Sequence, residues 1–139
     1  MTIQKFENLK IFKEASDLCN EIYRITRQGD FQYDTRFVQQ IRASAGSIMD
    51  NIAEGYERDG NKELMNFLYI AKGSCGELRS QLIRAHNVGF IDDLTFHELY
   101  DKCLKESIRI ANFIKSIKNT DFRGNKYYKQ EIKIEEPPT

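Results

Sequence analysis

The sequence is poor in residues that break helices. Of its 139 residues only two are proline, and both, Pro137 and Pro138, lie within the last three positions. Proline removes a backbone N–H and clashes with the preceding turn of a helix. Long helices are therefore free to form over nearly the whole chain.

The chain also lacks an excess of charge of either sign. Lys and Arg together number 21, as do Asp and Glu, so the formal net charge is zero. A neutral chain has no overall attraction for nucleic acid, although a local basic patch can still bind it. Hydrophobic residues make up 40% of the chain and charged residues 30%, which is typical of one globular domain with its own core.

Cysteine is scarce, and there is no CxxC motif. An odd number of widely spaced cysteines, Cys19, Cys75 and Cys103, indicates buried free thiols in a reducing compartment. The N-terminal stretch has no apolar run of the signal-peptide type, and no segment approaches the roughly 20 apolar residues of a membrane helix. We therefore expect a cytoplasmic protein without membrane contact.

Apolar residues recur at steps of three and four in four successive segments, the spacing of one helical face. The predicted helices cover residues 6–27, 34–58, 62–87 and 92–118. The expected N-terminal caps are Asp34 or Thr35, Asn61, and Asp92. Short connections make neighbouring helices antiparallel. We predict an all-α, up-down-up-down four-helix bundle over residues 1–118 and a polar, mobile C-terminal tail over residues 119–139, in which residues 128–134 could instead form a short strand.

The second predicted helix has almost no charged side. Between Arg42 and Asp50 the sequence is ASAGSIM, whereas a surface helix normally turns charges to water. Gly46 inside a helix costs roughly 1 kcal/mol relative to Ala, and a closely packed neighbour would offset this. We expect a second copy of the chain to cover the second and third helices, through Ala43, Gly46, Ser47, Met65, Tyr69, Gly76 and Ile83. The alternative is that the small residues only allow tight packing within one bundle.

Polar and basic residues suggest two further roles. A buried network that fixes the register of the helices is expected at Arg42, Asn51, Glu54, Glu77 and Arg79, with a functional site as the alternative. Basic residues at helical spacing and in the tail are candidate nucleic-acid contacts: Lys72, Arg79, Lys102, Lys105, Arg109, Lys126 and Lys129. The alternative for these is an ordinary solvated face.

Motifs for catalysis are missing. Di-iron bundles use Glu-x-x-His pairs, but the residues three before His86 and His97 are Ile83 and Leu94. There is no Walker loop, GxGxxG or GxSxG. We expect no enzymatic activity, no cofactor and no small-molecule substrate, and a metalloenzyme is the least favoured hypothesis.

Two stretches carry a family resemblance. SIxxNIAEG, from Ser47 to Gly55, is followed by IAxGSxxEL, from Ile70 to Leu78. Together with the opening FENLKIF, they make residues 5–118 resemble the 23S rRNA-intervening sequence proteins, which are often encoded within bacterial rRNA genes. The resemblance implies a homopentameric ring and kinship with the accessory bundle protein of diversity-generating retroelements, which binds nucleic acid and a reverse transcriptase. It implies no catalytic residues.

Two functions remain open at this point. The leading hypothesis is an oligomeric bundle that acts as a binding scaffold, with RNA or a ribonucleoprotein as its partner. The alternative is a purely protein-binding or structural oligomer without a nucleic-acid partner.

Overall fold

The computed structural model describes residues 5–58, 60–127 and 135–138. A 3₁₀ turn at Phe6–Asn8 precedes α1 (Lys10–Ile25), and a second at Gly29–Tyr33 precedes α2 (Thr35–Glu57); α3 (Asn61–Asn87) and α4 (Asp93–Tyr127) follow. Helices that are consecutive in sequence pack against each other, and α1 also packs against α4. The predicted all-α four-helix bundle is confirmed.

The helix starts agree with the predicted caps at two of three places. The carboxylate of Asp34 accepts the Phe37 N–H at 3.1 Å, and that of Asp92 accepts the Thr95 N–H at 2.8 Å. The predicted cap at Asn61 was wrong, because Gly60 is the N-cap of α3 and Asn61 is already helical. Gly60 has a φ of 149°, a backbone conformation open mainly to glycine, so the chain turns one residue earlier than expected.

The fourth helix is longer than predicted. We placed its end near Lys118, but α4 continues to Tyr127. No proline follows until the last residues, so nothing obliges the helix to stop at Lys118. The strand considered for residues 128–134 lies outside the described residues.

One continuous core fills the bundle. The apolar residues that recur at steps of three and four along α2 and α3 are buried: Phe37, Ile41, Ala45, Ile48 and Ile52, and Leu64, Leu68, Ala71, Cys75, Leu78 and Leu82. The three cysteines are buried free thiols, as predicted.

Gly55 allows α2 and α3 to approach closely. A Cβ at this position would lie 2.6 Å from Cβ of Phe67, which is closer than any normal packing contact. This glycine is therefore explained by the fold of the single chain.

Candidate functional site

A groove runs along the outer side of α2, next to α1. Its volume is about 700 Å³, and the residues lining it are Tyr23, Gln39, Arg42, Ala43, Gly46, Ser47, Asp50 and Asn51. Ala43 is exposed and Gly46 is half-buried. In the described part of the chain, a Cβ added to Gly46 meets nothing within 4 Å. We call this surface the α2 groove.

Arg42 forms one wall of the α2 groove and is fixed there by α1. Its Nε donates to Oγ1 of Thr26 at 2.9 Å, and its guanidinium lies 4.5 Å from the centre of the Tyr23 ring. A cation over an aromatic ring is attracted to the ring face. Arg42 thus connects α2 to α1, and other residues form the contact between α2 and α3.

Small polar side chains connect α2 to α3. The hydroxyl of Ser44 donates to Oε1 of Glu77 at 2.5 Å, and the hydroxyls of Ser47 and Ser74 lie 2.8 Å apart. Asn51 donates from Nδ2 to the carbonyl oxygen of Ser47 at 2.7 Å. Short side chains with matched donors and acceptors can fix the register of two closely packed helices.

The remaining residues of the predicted network lie apart from these contacts. Glu54 is exposed and forms an ion pair with Arg58 at 2.9 Å. Arg79 is half-buried and lies only two residues after Glu77 on α3, which places the two side chains on different sides of the helix. Whether all five predicted residues act together stays a prediction.

A second, smaller groove lies between α3 and α4. Its volume is about 210 Å³, and it is lined by Tyr69, Lys72, Ala111, Ile114, Lys115 and Lys118. Tyr69 is 45% exposed, and Nζ of Lys118 lies 5.4 Å from the centre of its ring. None of these six described residues is acidic. We call this surface the lysine groove.

The lysine groove is lined by residues to which the sequence assigned two different roles. Tyr69 was assigned to the subunit interface and Lys72 to nucleic-acid contact, yet both line the same groove. A partner that covers one of them therefore covers the other. The two uses compete for this surface.

The other predicted contacts are spread over α3 and α4. Among the interface residues, Met65 and Gly76 are half-buried and Ile83 is 42% exposed. On α4, Lys102 and Lys105 are exposed and Arg109 is half-buried. Lys105 forms an ion pair with Asp101 at 2.9 Å. Lys126 lies in the last turns of α4, and Lys129 lies outside the described residues.

Glu106 is a notable residue that our sequence analysis missed. Its side chain points into the core with 1% exposure, and neither carboxylate oxygen has a hydrogen-bond partner among the described residues. Burial raises the pKa of this carboxyl to about 9, and the nearby Cys75, Glu14 and Glu136 add to the rise while Arg109 opposes it. Glu106 is therefore protonated and neutral at physiological pH. The sequence does contain a signal for its burial, because Glu106 lies three residues after Cys103 on the inward face of α4.

Two thiols lie in the same region of the core. Sγ of Cys103 donates to the carbonyl oxygen of Cys75 at 3.2 Å. A side-chain hydrogen bond with Cys103, followed by burial, raises the pKa of the Cys75 thiol far above its ordinary value. Because the thiolate is the reactive form, Cys75 is unreactive.

Across the part of the chain that the structure describes, no three His, Cys, Asp or Glu side chains are grouped so that they could hold a metal ion. Among the same residues, no helix combines the length and the apolar composition needed to cross a membrane.

A known protein family matches most of the chain. The family model described as 23S rRNA-intervening sequence protein matches residues 7–116, which include the α2 groove and most of the lysine groove. A search of the curated proteins finds no match.

Proposed function

Since the chain belongs to the 23S rRNA-intervening sequence protein family, we propose that it is a non-catalytic scaffold assembled from copies of itself. The observation that carries the proposal is the presence of two different surfaces on one chain, the α2 groove and the lysine groove. The first contains small residues beside Asp50 and Arg42, and the second is a tyrosine surrounded by lysines.

Glycines inside helices support this proposal. Gly46 in α2 and Gly73 in α3 each cost roughly 1 kcal/mol relative to Ala. A Cβ at either position meets nothing within 4 Å in the described chain, in contrast to Gly55. The single chain therefore gives no packing reason for these two glycines, whereas a neighbouring subunit in close contact would.

The two surfaces differ in charge: Asp50 and Arg42 both line the α2 groove, whereas none of the described residues that line the lysine groove is acidic. The exposed side of α2 carries Asp50, and Glu54 and Glu57 follow towards the end of the helix. The lysine groove carries Lys72, Lys115 and Lys118. Opposite charges favour a defined orientation of two surfaces. We infer that the α2 groove of one copy receives the lysine groove of the next.

Contact between two different surfaces has a consequence for symmetry. Such head-to-tail contacts produce a ring when the rotation between copies closes. We propose a closed ring, with the five copies that the family resemblance implies.

Charge reversal tests the proposed contact. We expect Asp50→Lys alone and Lys115→Glu alone to weaken assembly, because each places like charges across the interface. The double variant Asp50→Lys/Lys115→Glu should regain the native mass in sedimentation experiments. Assembly of both single variants at wild-type strength, or failure of the double variant to recover, would count against this pairing.

Binding of RNA by the assembled ring is the second candidate function. Exposed Lys102 and Lys105 lie with Arg109 on α4, outside both grooves. A ring repeats this basic stretch in every copy, and several weak contacts to one long polyanion add up to stronger binding. The kinship with the retroelement accessory protein that the resemblance implies points in the same direction.

Salt dependence separates this function from a purely protein-binding scaffold. We expect the affinity for a structured RNA to fall steeply with salt, because phosphate contacts release counterions. Lys102→Glu should reduce RNA affinity without changing the native mass, whereas Lys115→Glu should change the mass. If no RNA binds even at low salt, the structural oligomer without a nucleic-acid partner is favoured.

A further inference from the structure

The first helix cannot cap its own N-terminus. The N-cap position of α1 is Leu9, whose side chain accepts no hydrogen bond, and the first turn holds no acidic residue. The first N–H groups of a helix have no partner within the helix. By contrast, Asp34 and Asp92 cap their own helices.

The missing acceptor comes from the other end of the chain. One carboxylate oxygen of Glu136 accepts the Lys10 N–H at 2.6 Å, and the other accepts the Ile11 N–H at 2.8 Å. These groups are more than a hundred residues apart in sequence. A negative group is favoured at a helix N-terminus by the helix dipole, and hydrogen bonds to a charged acceptor are among the stronger ones.

The burial pattern around Glu136 indicates that residues 135–138 pack against the bundle. Glu136 and Pro137 are half-buried, whereas their neighbours Glu135 and Pro138 are exposed. Burial, then the charges of Glu57 and Glu136, raise the pKa of Tyr56 near the end of α2. Glu136 lies at the start of α1, and its charge is felt at Tyr56 in the last turns of α2.

We propose that residues 135–138 form a detachable strap that closes this end of the bundle through Glu136. When the strap is docked, the first turn of α1 is capped and tied to the C-terminus. When it is released, the Lys10 and Ile11 amides lose the Glu136 carboxylate as acceptor and exchange with solvent more rapidly. Pro137 and Pro138 restrict the backbone next to Glu136, which lowers the entropy lost on docking.

Amide hydrogen exchange, measured by NMR on the full chain, tests the strap. In Glu136→Ala we expect the Lys10 and Ile11 amides to exchange roughly tenfold faster or more, because each loses a hydrogen bond to a charged acceptor. The matched control is Glu135→Ala, which removes an exposed carboxylate one residue away and should leave both rates unchanged. Glu136→Gln, which keeps an amide oxygen as acceptor, should give an intermediate rise.

Two results would contradict the proposed strap. Unchanged exchange at Lys10 and Ile11 in Glu136→Ala would show that Glu136 does not cap α1. An equal rise at amides in the middle of α1 and α3 would show general loosening of the bundle, and would also contradict a local strap. Neither outcome depends on assembly or RNA binding.

Discussion

Replacing Glu106 with leucine should stabilise the bundle, and the gain should increase with pH. The carboxyl is buried without a hydrogen-bond partner among the described residues. Burying a polar group without a partner is unfavourable, and replacing buried charged groups with apolar residues of similar volume often stabilises a protein. Leucine is close in size and carries no polar atom in its side chain.

The direction of the pH effect follows from the two pKa values. The ordinary value is 4.5, and in the bundle the pKa of Glu106 rises to about 9. Below the first value both states bind the proton, so this group causes no pH dependence. Between the two values only the folded state keeps the proton, and the free energy of unfolding falls by up to about 1.4 kcal/mol per pH unit. Glu106→Leu removes the titrating carboxyl and therefore removes this decrease in the free energy of unfolding with rising pH.

Urea unfolding at about pH 5 and about pH 8.5 measures the effect. We expect the variant to be more stable than the wild type at both pH values, and its advantage to be larger at the higher pH by up to about 4–5 kcal/mol, the slope taken over this interval. Protein concentration must be equal, because assembly contributes to apparent stability. Glu98→Leu, at an exposed position of α4, should change little at either pH. A variant less stable at both pH values, or a gap that does not vary with pH, would contradict the account.

Replacing Gly46 with leucine should abolish assembly while the bundle stays folded. A Cβ at Gly46 meets no neighbour within 4 Å in the described chain, so a larger side chain can extend into the α2 groove without disturbing the core. It would then occupy the space that a second copy needs. Far-UV circular dichroism should remain helical, and sedimentation should show the mass of one chain, 16.3 kDa.

Three controls separate assembly from folding. Gly46→Ala should raise helix stability by up to about 1 kcal/mol. Asn20→Leu places the same side chain at an exposed position of α1, outside both grooves, and should not change the mass. Gly55→Ala should instead destabilise the fold itself by about 1–3 kcal/mol, because its Cβ would clash with Phe67. Native mass in Gly46→Leu would exclude the α2 groove as the interface.

Helical periodicity was sufficient to predict the bundle. The apolar stripes of α2 and α3 are continuous, the connections are short, and no proline intervenes, so local pattern and overall fold agree. Periodicity of apolar residues alone does not reveal the buried Glu106, because it registers only apolar side chains. Helical spacing from Cys103 nevertheless places residue 106 on the inward face of α4.

Other features depend on contacts that periodicity does not describe. The lysine groove exists because Tyr69 and Lys72 of α3 lie beside Lys115 and Lys118 of α4, residues that are far apart in sequence. The strap joins Glu136 to Lys10 and Ile11, and no local pattern links these positions. We described the C-terminal segment from its polarity alone, which does not reveal that one of its carboxylates caps a distant helix.

The mass of the native protein, measured by sedimentation velocity at micromolar concentration, tests the central claim most directly. The claim is that a second copy covers the α2 groove. We predict a single species whose mass is a multiple of the 16.3 kDa chain, with five copies as the expected number. A monomer of 16.3 kDa at every concentration up to the high micromolar range would contradict it.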